Sequence, residues 1–174
     1  MLQRKFPEAH AVLQKFPGET LTTNTTAPVP KAFLEGITHL AEGDTAKSQT
    51  EFEQARIASE KLVREAPKDP ARCAQHGLIL AAVGRKQEAI AEGKRAVELL
   101  PESQDAFDGP QNTAALARIY ASTGESDEAF RLIDHLLVVP NGLTVQMLKL
   151  DPAWDPLRKD PRLQALIDKY AAPR

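Results

Sequence analysis

The sequence has one cysteine, few aromatic residues and no long apolar run, and each feature excludes a class of protein. Cys73 has no second cysteine to pair with, so an internal disulfide framework is excluded. Aromatic residues are only 5% of the 174 residues, and no β-strand-like alternation of side chains is present, which disfavours sheets. No apolar run approaches the roughly 18 residues of a membrane span, and the amino end lacks the apolar core of a secretory signal. We therefore expect a cytoplasmic protein that does not bind membranes.

Positive and negative charges nearly balance, and the side chains that could act in catalysis or metal binding are scattered along the sequence. The net charge is −2, so no global field draws the chain to nucleic acid. The four histidines lie on different segments without metal-ligand spacing, and the glycines are too isolated for a phosphate-binding loop. No nucleophile and base can be paired from the sequence. We expect no catalytic residue, metal or cofactor, and hence not an enzyme.

What the sequence does contain is a regular spacing of small residues between 70 and 101. Gly77 and Gly84 are seven residues apart, Ala89 and Ala96 are also seven apart, and Pro101 ends the segment. A glycine inside a helix costs about 1 kcal/mol against alanine, so Gly77 needs a compensating contact. Close approach of two helices supplies one, with Gly84 opening the turn between them. The spacing therefore predicts a helix–turn–helix unit.

This segment resembles the tetratricopeptide repeat, and the spacing recurs on both sides of it. Gly36 and Gly43 are seven apart, as are Ala117 and Gly124. The resemblance implies an all-α array of helical hairpins (an α-solenoid) with a carboxy-terminal capping helix. The motifs DAFDGP and LARIYASTGE, together with the tail, also resemble the carboxy-terminal repeat region of a group of bacterial signalling proteins. Kinase, cyclase or winged-helix effector domains precede such regions; none is present here, so no activity is implied.

The pattern divides the chain into one helical-repeat domain of six segments. A half unit at the amino end lacks a partner helix, which means either that the chain is a piece of a longer protein or that this helix docks as a cap. A threonine-rich linker bounded by prolines follows it. The segments are a half unit (1–18), a linker (19–28), repeat 1 (29–67), repeat 2 (70–101), repeat 3 (110–140) and a carboxy-terminal cap (144–174).

Individual residues give sharper expectations about packing. Asp44 is a good N-cap, and the apolar face that follows it continues to Pro67, which predicts a helix of about 22 residues, longer than a standard second helix. Phe107, in the insertion after repeat 2, should pack over that overhanging helix. Trp154 should close the last repeat as a wedge. His76 should be a core histidine bonded to a neighbouring backbone group, and Cys73 a buried apolar residue.

Stacked repeats form a concave groove lined by the first helix of each unit, which is where we expect a protein or peptide partner. The groove is apolar with one cation, so it suits an apolar or amphipathic helix, or an extended peptide with one acidic group. The Lys and Asn clamp with which some tetratricopeptide proteins hold a terminal carboxylate is missing. The expected lining residues are Phe33, Ile37, Ala74, Leu78, Ala82, Ala114, Arg118 and Ser122.

For this non-catalytic interaction module, the sequence leaves open what fills the groove and whether the chain is part of a larger protein. The groove takes a partner, or it is filled by the amino-terminal segment or by a second copy in a homodimer. Alternatively, the array is an oligomerisation or regulatory segment of a larger bacterial signalling protein.

Overall fold

The computed structural model describes residues 5–22 and 27–171, and it is mostly helical, with 72% of these residues in helices. This confirms the expected all-α class. The helices are α1 (Phe6–Lys15), α2 (Lys31–Ala41), α3 (Thr45–Glu65), α4 (Pro70–Ala82), α5 (Lys86–Leu99), α6 (Gly109–Ser122), α7 (Ser126–Leu136), α8 (Val145–Leu150), a 3-10 helix (Pro152–Leu157) and α9 (Pro161–Ala171).

The predicted linker and the first two residues of the predicted repeat 1 form a short β-ribbon, which the sequence did not predict. Strand β1 (Thr20–Leu21) pairs antiparallel with β2 (Val29–Pro30), with Thr20 opposite Pro30. The Lys31 amide then donates to the Glu19 carbonyl at 2.8 Å, which holds the start of α2 beside β1. Residues 23–26 of the linker lie outside the described residues.

Three glycines turn the chain between successive helices, where the spacing predicts the turns. Gly43, Gly84 and Gly124 follow α2, α4 and α6 with φ angles of 84°, 79° and 81°, a region in which a side chain is strained. After each glycine, the next amide donates at 2.9 Å to the carbonyl five residues before it. This bonding satisfies a carbonyl that the helix end would otherwise leave free.

Within the central pair, α4 and α5 approach each other closely at Gly77. A Cβ atom at this position would lie 3.1 Å from the Ala89 carbonyl oxygen and 3.2 Å from the Gly93 nitrogen, both in the backbone of α5. It would also lie 2.8 Å from Cδ1 of Ile119 in α6. The glycine therefore marks the point where two helices meet, as its cost in a helix predicts.

Helix α3 connects the first pair of helices to the second. It is 21 residues long, close to the predicted length, and the Asp44 side chain caps it by accepting from the Lys47 amide at 3.1 Å. It packs against α2 on one side and α4 on the other. Its carboxyl end is held where Arg72 of α4 donates to the Leu62 carbonyl at 2.8 Å.

The remaining helices continue the stack, and the largest core cluster lies at its carboxyl end. Helix α1 packs on α2, α4 and α5 both pack on α6, and α6 packs on α7 and the 3-10 helix. Trp154 of the 3-10 helix is fully buried in this cluster, as the wedge prediction requires. Other buried members of the cluster come from α6, α7 and the tail: Leu116, Tyr120, Phe130, Ile133, Leu136, Leu148, Leu157 and Ile167.

The expectation for Phe107 is wrong. Its side chain is 68% exposed and does not bury itself against α3. The physical reason is a local turn: the Asp105 carboxylate accepts from the amides of Phe107 and Asp108 at 2.8 and 2.9 Å. This turn places the Phe107 carbonyl against Asn141, beyond α7, and leaves the ring in solvent.

Candidate functional site: the groove residues of the first helices

The eight predicted groove residues lie on α2, α4 and α6, and they differ in how much solvent they reach. Two are buried, Ala74 and Ala114. Ser122 is exposed, and its hydroxyl donates to the Ile119 carbonyl at 3.0 Å. The others are half-buried: Phe33, Ile37, Leu78, Ala82 and Arg118.

On α4, two of the predicted groove residues pack against neighbouring helices. Ala74 packs in a buried cluster with Val63 of α3 and Ala115 of α6, so its side chain is not accessible to a partner. Leu78 packs at the edge of this cluster and of a second one that contains Ile119. Since α4 and α6 are in contact, the structure places the groove-bearing helices of the second and third pairs beside each other.

The groove residues of α2 stand apart from those of α4. The Phe33 ring packs against Phe52 of α3, with ring centres 5.9 Å apart and planes at 47°. Among the described residues, α2 makes no extensive contact with α4, because both helices pack on α3 instead. In the part of the chain that the structure describes, α2 and α4 therefore share α3 as a neighbour, and no extensive contact joins the two helices directly.

The one predicted groove cation, Arg118, is engaged by the chain's own tail. Its guanidinium donates to the Asp151 carboxylate at 3.0 Å, and its central carbon lies 5.8 Å from the centre of the Trp154 ring. Asp151 also accepts from the Ala153 amide at 3.0 Å, which begins the 3-10 helix. The tail therefore covers this side of α6, and no feature of the sequence identifies Asp151 as the partner of Arg118.

A buried polar pair between α3 and α4 was also missed. Ser59 Oγ lies 2.8 Å from His76 Nδ1, and both side chains are buried, whereas a backbone partner was expected for His76. Burial holds the pKa of His76 below its usual value, so the ring is neutral at pH 7. The two residues are 17 positions apart, and only the crossing of the two helices brings them together.

Neither this pair nor Cys73 forms an accessible reactive centre. Burial raises the pKa of the Cys73 thiol to about 11, so the thiolate that a nucleophile requires is scarce at neutral pH. In residues 5–22 and 27–171, no three His, Cys, Asp or Glu side chains are placed to hold a metal ion. What the described part of the chain offers at these helices is half-buried apolar surface together with structural polar contacts.

Comparisons with protein-family models, curated proteins and solved structures find no match to this chain. Among the described helices, none combines the length and the apolar character needed to cross a membrane.

Proposed function

We propose that the chain is a non-catalytic protein-interaction module built as a tetratricopeptide-like array of three helical hairpins with a carboxy-terminal cap. The pairings of α2 with α3, α4 with α5 and α6 with α7 support this arrangement. So do the left-handed glycines at the three turns and the close approach at Gly77. In such an array the first helix of each pair lines the binding groove.

The observation that carries the proposal is the accessible apolar surface left on α2 and α4. Phe33, Ile37, Leu78 and Ala82 are only half-buried, although they are apolar. The α6 end of the same groove is covered by Asp151 and by the 3-10 helix. A partner would therefore contact the half-buried apolar side chains of α2 and α4 rather than those of α6.

The partner that fits this surface is an amphipathic helix or a short peptide whose apolar face enters the groove. The sequence also suggested an acidic group for Arg118. Because Asp151 already neutralises that cation, recognition here does not call for an acidic ligand. We expect apolar anchors at helical spacing to determine affinity.

A displayed library of amphipathic helical peptides tests the proposal. Peptides selected on the wild-type chain should shift the amide resonances of α2 and α4 and lose binding in Ile37→Glu and Ala82→Glu. Lys149→Glu, at an exposed site on α8, is the matched control and should bind normally. Resonance shifts confined to α5 and α7, or equal binding by all three variants, would reject this groove as the site.

A second candidate is a cytoplasmic regulatory or oligomerisation segment of a larger bacterial signalling protein. The observation that favours it is the tail, which resembles the end of such repeat regions and whose Trp154 is buried in the largest core cluster. Reading the coding sequence on either side of this segment tests the idea. An adjoining kinase, cyclase or winged-helix domain in the same frame would support it, and stop codons on both sides would refute it.

A further inference from the structure

The loop between α5 and α6 holds Phe107 in a fixed position. The Asp105 carboxylate accepts two amides of its own turn, those of Phe107 and Asp108. Glu102, at the start of the loop, accepts from the Thr113 hydroxyl at 2.7 Å and lies 2.8 Å from His135 Nε2. These bonds anchor the loop to both α6 and α7.

A second loop, after α7, braces the first. Asn141 has a φ of 56°, which is uncommon for a residue with a side chain. Its side-chain amide donates to the Phe107 carbonyl at 2.6 Å, and its own carbonyl accepts from the Gln111 side chain at 2.6 Å. The exposed Phe107 ring therefore projects from a backbone that is bonded on both sides.

An exposed aromatic ring on a fixed backbone is suited to act as an interface anchor, because little backbone entropy remains to be lost on binding. The ring has acidic neighbours in Asp105 and Asp108. Two backbone amides hold the pKa of Asp105 below its usual value, and the Asp108 side chain is exposed. A complementary surface would be an apolar depression with a basic rim.

Such a depression lies on the outer side of α3. It has a volume of about 780 Å³ and an apolar floor of Ile57, Ala58 and Leu62. Ile57 is 58% exposed, so its side chain is available for contact. The basic rim consists of Lys61 and Arg64.

Two basic side chains of α3 could pair with an acidic group that binds at this depression. Lys61 has no ion-pair partner among the residues that the structure describes, and Arg64 is 72% exposed while it pairs with Glu60 at 3.2 Å. The acidic lining residue Glu65 lies 3.6 Å from Arg72 of α4, which compensates it. Glu19, next to β1, also lines the depression, so the cations that α3 offers to an acidic group are Lys61 and the exposed guanidinium of Arg64.

We propose that copies of this chain associate by seating Phe107 of one copy in the α3 depression of another. The ring meets the floor around Ile57, and Asp105 and Asp108 meet Lys61 and Arg64. A second copy is the occupant because both complementary surfaces are present on one chain, while within one copy the ring stays in solvent. This contact uses neither α2 nor the groove side of α4, so it is independent of the proposed partner groove.

Sedimentation velocity on the whole chain over a wide concentration range tests the contact. We expect reversible association that Phe107→Ser and Ile57→Ser each weaken by at least about tenfold. Val12→Ser is the matched control, since Val12 on α1 is as exposed as Phe107, at 68%, and should leave association unchanged. All three sites are exposed, so the variants should keep the wild-type circular dichroism spectrum.

Mixing the Phe107→Ser and Ile57→Ser chains tests whether the ring of one copy binds the depression of another. The Phe107→Ser chain keeps its depression and the Ile57→Ser chain keeps its ring, so a mixture should form pairs that neither forms alone. A charge exchange, Asp108→Lys together with Lys61→Glu, should restore association that each single change weakens. A wild-type chain that stays monomeric, or association that survives either serine variant, would overturn the proposal.

Discussion

The substitution Gly77→Ala tests whether glycine marks the contact between α4 and α5. The added Cβ would lie 3.1 and 3.2 Å from two backbone atoms of α5, so the two helices must separate by a few tenths of an ångström. Overpacking of this kind costs about 1–3 kcal/mol, and alanine returns about 1 kcal/mol of helix propensity. We expect a net destabilisation of about 1 kcal/mol, measured as the free energy of unfolding in urea by circular dichroism.

Gly93→Ala is the matched control within the same pair of helices. Its added Cβ would meet the Cδ1 atoms of Ile119 and Leu116 at 2.8 and 2.9 Å, while the nearest backbone atom is 3.7 Å away. Side-chain ends can rotate, so the gain in helix propensity should offset most of the cost, leaving a change within about 0.5 kcal/mol of zero. If Gly77→Ala proves as stable as wild type, or more stable than Gly93→Ala, the reasoning about close helix contact fails.

Three further predictions concern single buried side chains. Burial lowers the pKa of His76, so as the pH falls below about 6.5 the histidine binds a proton more readily in the unfolded chain than in the folded one. The free energy of unfolding, measured in urea across pH, should therefore fall more steeply in this range for wild type than for His76→Gln. The Cys73 thiol should react with DTNB at least about a hundredfold more slowly in the native chain than in urea; equal rates would contradict its burial. Trp154→Ala should cost about 3–5 kcal/mol of unfolding free energy, and a loss below about 1 kcal/mol would show that the wedge is not part of the core.

The parts of the fold that the sequence predicted are those determined by neighbouring residues. Asp44 caps the helix that follows it because its carboxylate reaches an amide three positions away. The turn at Gly84 is equally local, since it depends on one left-handed residue. These interactions form in the same way wherever the helices lie, so sequence spacing is sufficient to find them.

The parts that it missed depend on how distant segments meet. Arg118 and Asp151 are 33 positions apart, and nothing in either local sequence identifies the other as a partner. The prediction for Phe107 failed because a single apolar residue in a loop gives no direction, whereas the Asp105 turn that orients it is visible only in three dimensions. Long-range polar contacts of this kind require the packed structure.

The candidate groove shows a second limit of predicting structure from the spacing of small residues. Ala74, one turn before Gly77, fits the groove pattern, but the structure buries it against Val63 and Ala115. Small residues at helical spacing occur both where helices touch and where a groove must be shallow, so the pattern does not distinguish the two. Larger side chains such as Ile37 and Leu78 are more informative, because their partial exposure leaves apolar surface that the fold itself does not bury.

The length of α3 connects the two proposed surfaces. Its last turns place Ser59 and Val63 against α4, which explains why the helix extends beyond a standard unit. The opposite side of the same turns carries Ile57, which is 58% exposed and so adds little burial energy to the folded chain. A β-branched residue is also a poorer helix former than the lysine or glutamate usual on a solvated face. The proposed contact with Phe107 of another copy would bury this side chain, and the Ile57→Ser variant tests whether it does.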